Sequence, residues 1–240
     1  MWRRSVRIVL LVLFGVNAPL VAQRPVVGAG VGGGVILGTR LLDYSFTTSS
    51  GGQTIDQIRE INLDQIGIFD AHLEIYPIQH LAVRGHGMWG SGHLKVQNRG
   101  ESDPSVLAGR GDVSISGLDA GISFWPWAPH SVGFAPFVTV GFGRVTYDFD
   151  AVDDGAYFQA RGRRSENAFI FGLGADLNVW RSITLRIEAM NHRLPSPLES
   201  QDFVYSQLVR DDFDRRISNV SLVVDVHIYL PFRGNSGIGD

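Results

Sequence analysis

Apolar and polar residues alternate with period two along most of the chain, which is the spacing of strands whose two faces meet different media. Phe69, Ala71, Leu73 and Ile75 interleave with Asp70, His72, Glu74 and Tyr76. Ile183, Leu185, Ile187 and Ala189 interleave with Thr184, Arg186 and Glu188. Val220, Leu222, Val224, Val226, Ile228 and Leu230 interleave with Ser221, Val223, Asp225, His227 and Tyr229. The pattern predicts eight strands, over 26–37, 63–76, 81–95, 113–125, 134–147, 168–179, 183–192 and 217–232. Most exceed an ordinary soluble strand and are long enough to cross a bilayer at a tilt.

The connections between these strands alternate in length. Long ones are expected over 39–62, 96–112, 148–167 and 193–216, and short ones over 77–80, 126–133 and 180–182. Long structureless loops are uncommon inside compact soluble domains. Transmembrane barrels place them all at the extracellular end and put tight turns at the periplasmic end.

Alternation alone does not say which face looks inward. A soluble periplasmic ligand-binding barrel would bury the apolar face, whereas a membrane barrel turns that face to lipid. Aromatics near the expected strand ends (Trp89, Trp125, Trp127, Tyr147 and Trp180) suit the second case, because such residues settle at membrane interfaces. The N-terminus agrees. Arg3, Arg4 and Arg7 precede an apolar run from Ile8 to Val16, and small residues lead to Ala22, so residues 1–22 have the layout of a cleavable secretory signal. The run is too short to span a bilayer as a helix. An exported chain without a transmembrane helix enters a membrane as a closed barrel, whose strands satisfy one another's backbone groups. Residues 23–232 are therefore expected to form one all-β, eight-stranded, antiparallel up-and-down transmembrane barrel in the outer membrane, with 233–240 as a short extension.

Composition narrows the function classes. The chain has formal net charge −3, and loss of the leader's arginines takes it to about −6, which argues against a nucleic-acid partner. It has no cysteine, which rules out a disulfide-stapled fold.

Residues 136–143 and 167–177, two glycine-rich strands, together with 183–192, carry a family resemblance. The chain resembles the eight-stranded outer-membrane barrels of the OmpA-like and opacity-protein type. The resemblance implies a monomeric, non-enzymatic envelope protein with a structural or surface-contact (adhesion-type) role. Its implied partners are outer-membrane lipids, lipopolysaccharide and an extracellular partner reached by the loops. The last expected strand, ending at Phe232, is similar to the signal that the barrel insertion machinery reads, although residues 233–240 follow the aromatic. No periplasmic peptidoglycan-binding domain of the kind full OmpA-like proteins carry is expected after it.

With the polar faces inward, the expected lumen holds a charge network of Asp70, His72, Glu74, Arg84, His86, Asp119, Asp176, Arg186, Glu188, Asp225 and His227. Such groups must pair, since an isolated buried charge is costly. Register at the short turns places Glu74 opposite Arg84, His72 opposite His86, and Asp176 opposite Arg186, and predicts ion pairs Glu74–Arg84 and Asp176–Arg186. The network can serve to plug and stiffen the barrel. The excess of acids also fits a narrow, gated, cation-preferring pore.

Other motifs add less. Gly28–Gly33 contains the letters GxGxxG, but no helix start follows to hold a pyrophosphate, and alternate glycines suit a strand face left bare for lumen side chains. No cofactor is expected. The histidines lack the spacing of a zinc motif, so no metal is expected either, although His72, His86 and Glu74 share the lumen. Lipid A deacylases resemble the chain in strand count, and His192, Ser196 and Glu199 are the nearest thing to their catalytic set; the prolines at 195 and 197 and the spacing speak against it. Arg161, Arg163, Arg164, Arg210, Arg215 and Arg216 fall in outer loops, where guanidinium groups can grip lipopolysaccharide phosphates.

Overall fold

The computed structural model describes residues 26–50, 53–98, 109–127, 133–154, 157–180, 182–203 and 215–231. The leader, Arg210, Phe232 and the extension lie outside the described residues. Among the described residues there are ten strands: β1 (Val26–Ile36), β2 (Thr39–Ser50), β3 (Gln53–Leu63), β4 (Ile66–Ile78), β5 (Leu81–Asn98), β6 (Gly109–Phe124), β7 (Phe134–Asp153), β8 (Gln159–Trp180), β9 (Ile183–Pro195) and β10 (Arg216–Pro231). Eight of them close a ring in the order β1-β10-β9-β8-β7-β6-β5-β4, every neighbouring pair antiparallel.

The other two strands overturn the expectation of a loop over 39–62. β2 and β3 form a hairpin, and β3 pairs with the outer end of β5 from Arg59↔Asn98 to Leu63↔Leu94. The wall therefore rises beyond the ring on one side. Two features hid this hairpin from a period-two search. A bulge sits between Arg40 and Leu42, and Ile55, Ile58 and Ile61 are spaced by three, which breaks the period-two pattern. The expected loop over 148–167 is also mostly strand, because β7 and β8 stay paired out to Asp153↔Gln159. The register slips between Phe149 and Val152, and Gly162 takes a φ of +82° beside the slip, a conformation that glycine adopts without steric cost. β5 and β6 extend likewise into the expected loop over 96–112. Between β9 and β10, Ser200–Asp202 forms one 3-10 turn.

The apolar face points outward, which excludes the soluble alternative. Phe69 is 53% exposed and Leu73 54%, while Asp70 and Glu74 between and beside them are fully enclosed. Val224, Val226 and Ile228 on β10 and Phe169, Phe171 and Leu173 on β8 continue the outward belt. In water this surface would be a large liability, and in lipid it is the interface.

The interior is layered, which the alternation pattern did not predict. At the short-turn end Tyr76, Ala82, Trp125, Ala135, Phe137 and Tyr229 pack together. Charged groups fill the middle. Toward the long connections the inward positions become apolar: Met88, Ile115, Val145, Ile170, Met190 and Val223 belong to one cluster. That cluster runs on into Tyr44 and Ile61 of the hairpin and Phe158, Leu198 and Phe203 of the outer connections. Trp125 and Tyr147 are therefore not interface aromatics. Both are buried inside, Tyr147 accepting from Asn219 Nδ2 at 2.5 Å, whereas Trp89, Trp127 and Trp180 are outward as expected.

Candidate functional site

The middle layer is built by strand alternation. β4 supplies Asp70, His72 and Glu74; β5 supplies Arg84 and His86; β6 supplies Asp119. β8 supplies Asp176, β9 supplies Arg186, Glu188 and His192, and β10 supplies Asp225 and His227. β1 contributes bare backbone. A Cβ on Gly28 would run into the His227 ring, on Gly30 into the His72 ring and on Gly32 into Asp225, so its glycines make room for these side chains. The same stretch is strand throughout, as the bare-face account of its glycines expects.

Arg186 is the hub. Its Nε donates to Asp176 Oδ1 at 2.8 Å and its Nη1 to Glu74 Oε1 at 2.5 Å. Its guanidinium carbon stands 4.8 Å from the Phe137 ring centre and 5.6 Å from that of Trp125. The short-turn aromatics also feed hydrogen bonds upward: Trp125 Nε1 to Asp176 Oδ2 at 3.0 Å, Tyr229 Oη to the same oxygen at 3.2 Å, and Tyr76 Oη to Glu74. Trp125, Tyr76 and Tyr229 thus belong to the network: alternation put the two tyrosines on the polar face, whereas Trp125 was expected at the membrane interface.

The expected Asp176–Arg186 pair is present, but the expected Glu74–Arg84 pair is not. Glu74 and Arg84 are opposite in register, as are His72 and His86. Yet Arg84 Nη1 donates to Glu188 Oε2 at 2.5 Å on the far wall, and Glu74 takes Arg186 instead. Register fixes where the Cα atoms stand. In a lumen this narrow a guanidinium reaches the opposite strand as readily as its neighbour, so partners are chosen by the three-dimensional charge distribution. The consequence is structural: β9 is tied across the interior to both β4 and β5.

The histidines divide into two groups. His86 lies between Asp119, at 2.6 Å from its Nδ1, and Asp70, in contact with its Nε2. His192 faces the same Asp119 at 3.7 Å. His72 and His227 share a hydrogen bond of 2.9 Å. Asp225 lies 3.7 Å from His72, and neither of its carboxylate oxygens has a hydrogen-bond partner.

A second polar cluster, which the sequence did not signal, holds the outer connections together. Asp154 accepts from Tyr44 Oη at 2.7 Å, from Arg59, and from the backbone N–H groups of Tyr157 and Phe158 at 2.7 and 2.8 Å. Burial, and then the Asp154 carboxylate, push the Tyr44 phenol above its ordinary range. Arg164 donates with both Nη atoms to Asp202 and from Nη1 to Pro197 O at 3.0 Å. Phe203 packs on Phe158 and edge-on against Tyr44, with centroids 5.3 and 5.0 Å apart.

This places the remaining candidates. Arg164 is an internal tie and is not displayed to solvent. Arg215 reaches Asp43 at 3.4 Å but stays exposed, as do Arg161, Arg163 and Arg216. His192, Ser196 and Glu199 form no catalytic set. Ser196 Oγ donates to Leu41 O at 3.1 Å, Glu199 accepts from Gln201, and both ring nitrogens of the inward-facing His192 lack a hydrogen-bond partner. Ser196 lies just past the end of β9 at Pro195, four residues along an extended chain from His192.

No protein-family model matches the chain, and no curated protein matches it. Solved structures do match. The outer membrane protein OprG from Pseudomonas aeruginosa aligns over 87% of this chain and 97% of its own, with TM-score 0.55 and 9% identity. AlkL, solved in lipid bilayers, aligns over 88% and 92%, with TM-score 0.46 and 15% identity. Ail of Yersinia pestis, solved with the heparin analogue sucrose octasulfate, aligns over 86% and 100%, with TM-score 0.41 and 12% identity. The likeness to OprG shows the fold alone, that of an antiparallel outer-membrane β-barrel. It carries nothing about ligand or activity.

Proposed function

We propose that the protein is an integral outer-membrane barrel that conducts nothing and presents a stiff outer platform for surface contact. One observation supports this best. The apolar cluster that fills the outer half of the lumen continues without a break into the β2–β3 hairpin and into Phe158, Leu198 and Phe203. A packed interior of this kind has no room for hydrated ions. The same packing holds the outer connections in place, as a binding surface on a rigid scaffold requires. The charged layer beneath would then stiffen the wall, with Arg186–Glu74 and Arg84–Glu188 acting as cross-braces. In planar bilayers the purified barrel is expected to show no conductance steps. Steps with cation preference would overturn this reading in favour of a gated pore.

The platform's expected partner is lipopolysaccharide at the rim. Arg161, Arg163, Arg215 and Arg216 are exposed at the outer strand ends, and guanidinium groups bind phosphate in paired hydrogen bonds. Changing all four to glutamine is expected to weaken lipopolysaccharide binding several-fold in a co-purification assay without altering folding. Arg164→Gln, by contrast, should act through stability, because its partner is Asp202. Unchanged binding in the fourfold variant would remove the lipopolysaccharide contact.

A further inference from the structure

The middle layer is out of balance. Asp70, Glu74, Asp119, Asp176, Glu188 and Asp225 face only two guanidinium groups, those of Arg84 and Arg186. Buried carboxylates in such excess call for further positive charge. One histidine is also anomalous. His192 is 1% exposed, yet neither of its ring nitrogens has a hydrogen-bond partner. A buried polar group left unsatisfied is costly, so the ring calls for a ligand.

Both facts meet at one place. His86, Asp119 and His192 each bring one donor atom to within 4.8 Å of the others. His86 Nδ1 and His192 Nε2 both face Asp119 Oδ2, at 2.6 and 3.7 Å. We propose that His86, Asp119 and His192 bind a divalent d-block cation inside the barrel. Metal–nitrogen and metal–oxygen bonds of about 2.0–2.2 Å put neighbouring donor atoms roughly 3–3.5 Å apart, and the two observed separations straddle that value. Asp70 completes the arrangement from behind. It contacts His86 Nε2; in the tautomer that carries its proton on Nε2, the Nδ1 lone pair faces Asp119, and a carboxylate on the far nitrogen is the usual support of a metal-bound imidazole. Two imidazoles and one carboxylate select zinc, iron or manganese over calcium and magnesium, which prefer oxygen alone.

The same carboxylates and histidines offer two further groupings, and each is weaker for a stated reason. Asp70, His72 and Asp225 would need the His72 Nδ1 lone pair. His72 Nε2 faces Arg186 Nη1 at 3.2 Å, and a donor there leaves the ring proton on Nδ1. In the grouping of His72, Glu74 and His227, the first two sit directly against the same guanidinium, which repels a cation. His86 alone, protonated between Asp70 and Asp119, would account for its own contacts but leave His192 orphaned. The cation accounts for His192 and removes half of the negative excess at once. Sequence spacing gives no hint of the site, because the ligands come from β5, β6 and β9, and the last is diametrically across the ring from the first.

The site is enclosed, so a cation is expected to enter as the barrel closes and to leave slowly. Wild-type protein refolded in detergent with zinc chloride, then stripped of loose ion with a chelator, is expected to retain one zinc per barrel by mass spectrometry. His192→Leu replaces the orphaned ring with an apolar group and is expected to fold but to retain none. His93→Ala, which removes the exposed His93–Asp112 pair, should retain it fully. No retained zinc in the wild type, or equal retention in His192→Leu, would overturn the proposal. If His192→Leu does not reach the folded gel mobility, nitrogen-15 spectra of the wild type decide. Zinc must shift the ring resonances of His86 and His192, and unmoved rings would overturn the site. The outcome is independent of whether the platform binds lipopolysaccharide.

Discussion

Arg186→Ala is expected to lower the unfolding free energy of the barrel by about 3–5 kcal/mol, the usual cost of removing one partner from a buried ion pair. Three features put this position at the top of the range. The guanidinium is fully buried and bridges two carboxylates, Glu74 and Asp176. Its removal leaves both acids enclosed without a counter-charge. It also breaks a tie between β9 and β4, strands that are not neighbours in the ring. Arg186→Lys should rescue little, because one ammonium cannot serve two carboxylates in a fork geometry. Urea unfolding in lipid vesicles, followed by tryptophan fluorescence, measures the loss. Adding Glu74→Gln to Arg186→Ala should return part of it, since one stranded charge is then gone, and this non-additivity is the signature of coupled residues. A loss below about 1 kcal/mol, within the range of exposed pairs, would mean that water reaches the layer and that the cross-braces are not braces.

Phe158→Ala is expected to cost about 3–5 kcal/mol as well, through lost transfer energy and the cavity left behind. Phe158 is 1% exposed although it lies in a connection between strands. Its ring packs on Phe203, whose own ring meets Tyr44 of the hairpin, so one side chain joins three outer connections. The variant should therefore lose protease resistance over the outer connections and stability of the barrel together. Cleavage confined to the outer end, with unfolding of the wall unchanged, would show the platform to be separable from the barrel. It would also remove the main support for a stiff contact surface.

These two residues also mark the limits of a reading from sequence. Arg186 was legible: its strand, its inward face and its pairing with Asp176 all follow from period-two alternation and a tight turn, because a one-residue slip would send every apolar group of the strand into the lumen. Its second partner was not legible, because Glu74 lies on a strand far away in sequence and meets Arg186 only when the ring closes. Phe158 was not legible at all. It sits among glycine and acidic residues that have loop composition, and its burial depends on Phe203 and Tyr44 arriving from two other connections.

The hairpin makes the same point at the level of whole elements. Residues 39–62 look like a loop because a bulge and a three-residue spacing of isoleucines break the alternation, and β5 is what gives β3 an edge to pair with. His192 and Asp119 are inward by simple parity. That they face each other, with a ring left without partners, is a matter of which strands stand across the lumen.

By itself the sequence determined the inside-out barrel. Alternation and strand length leave a polar face with nowhere to go but the interior, since lipid accepts no unpaired backbone or charge. Only the tertiary structure decided the contents of that interior: a charged layer closed by aromatics at one end and by an apolar core at the other, with ion partners and candidate metal ligands drawn from opposite walls. The physical reason is range. Alternation and turns act over a few residues and fix which way each side chain points, whereas charge pairing and packing act over a few ångströms of space, and closing the ring brings residues more than a hundred positions apart within that distance.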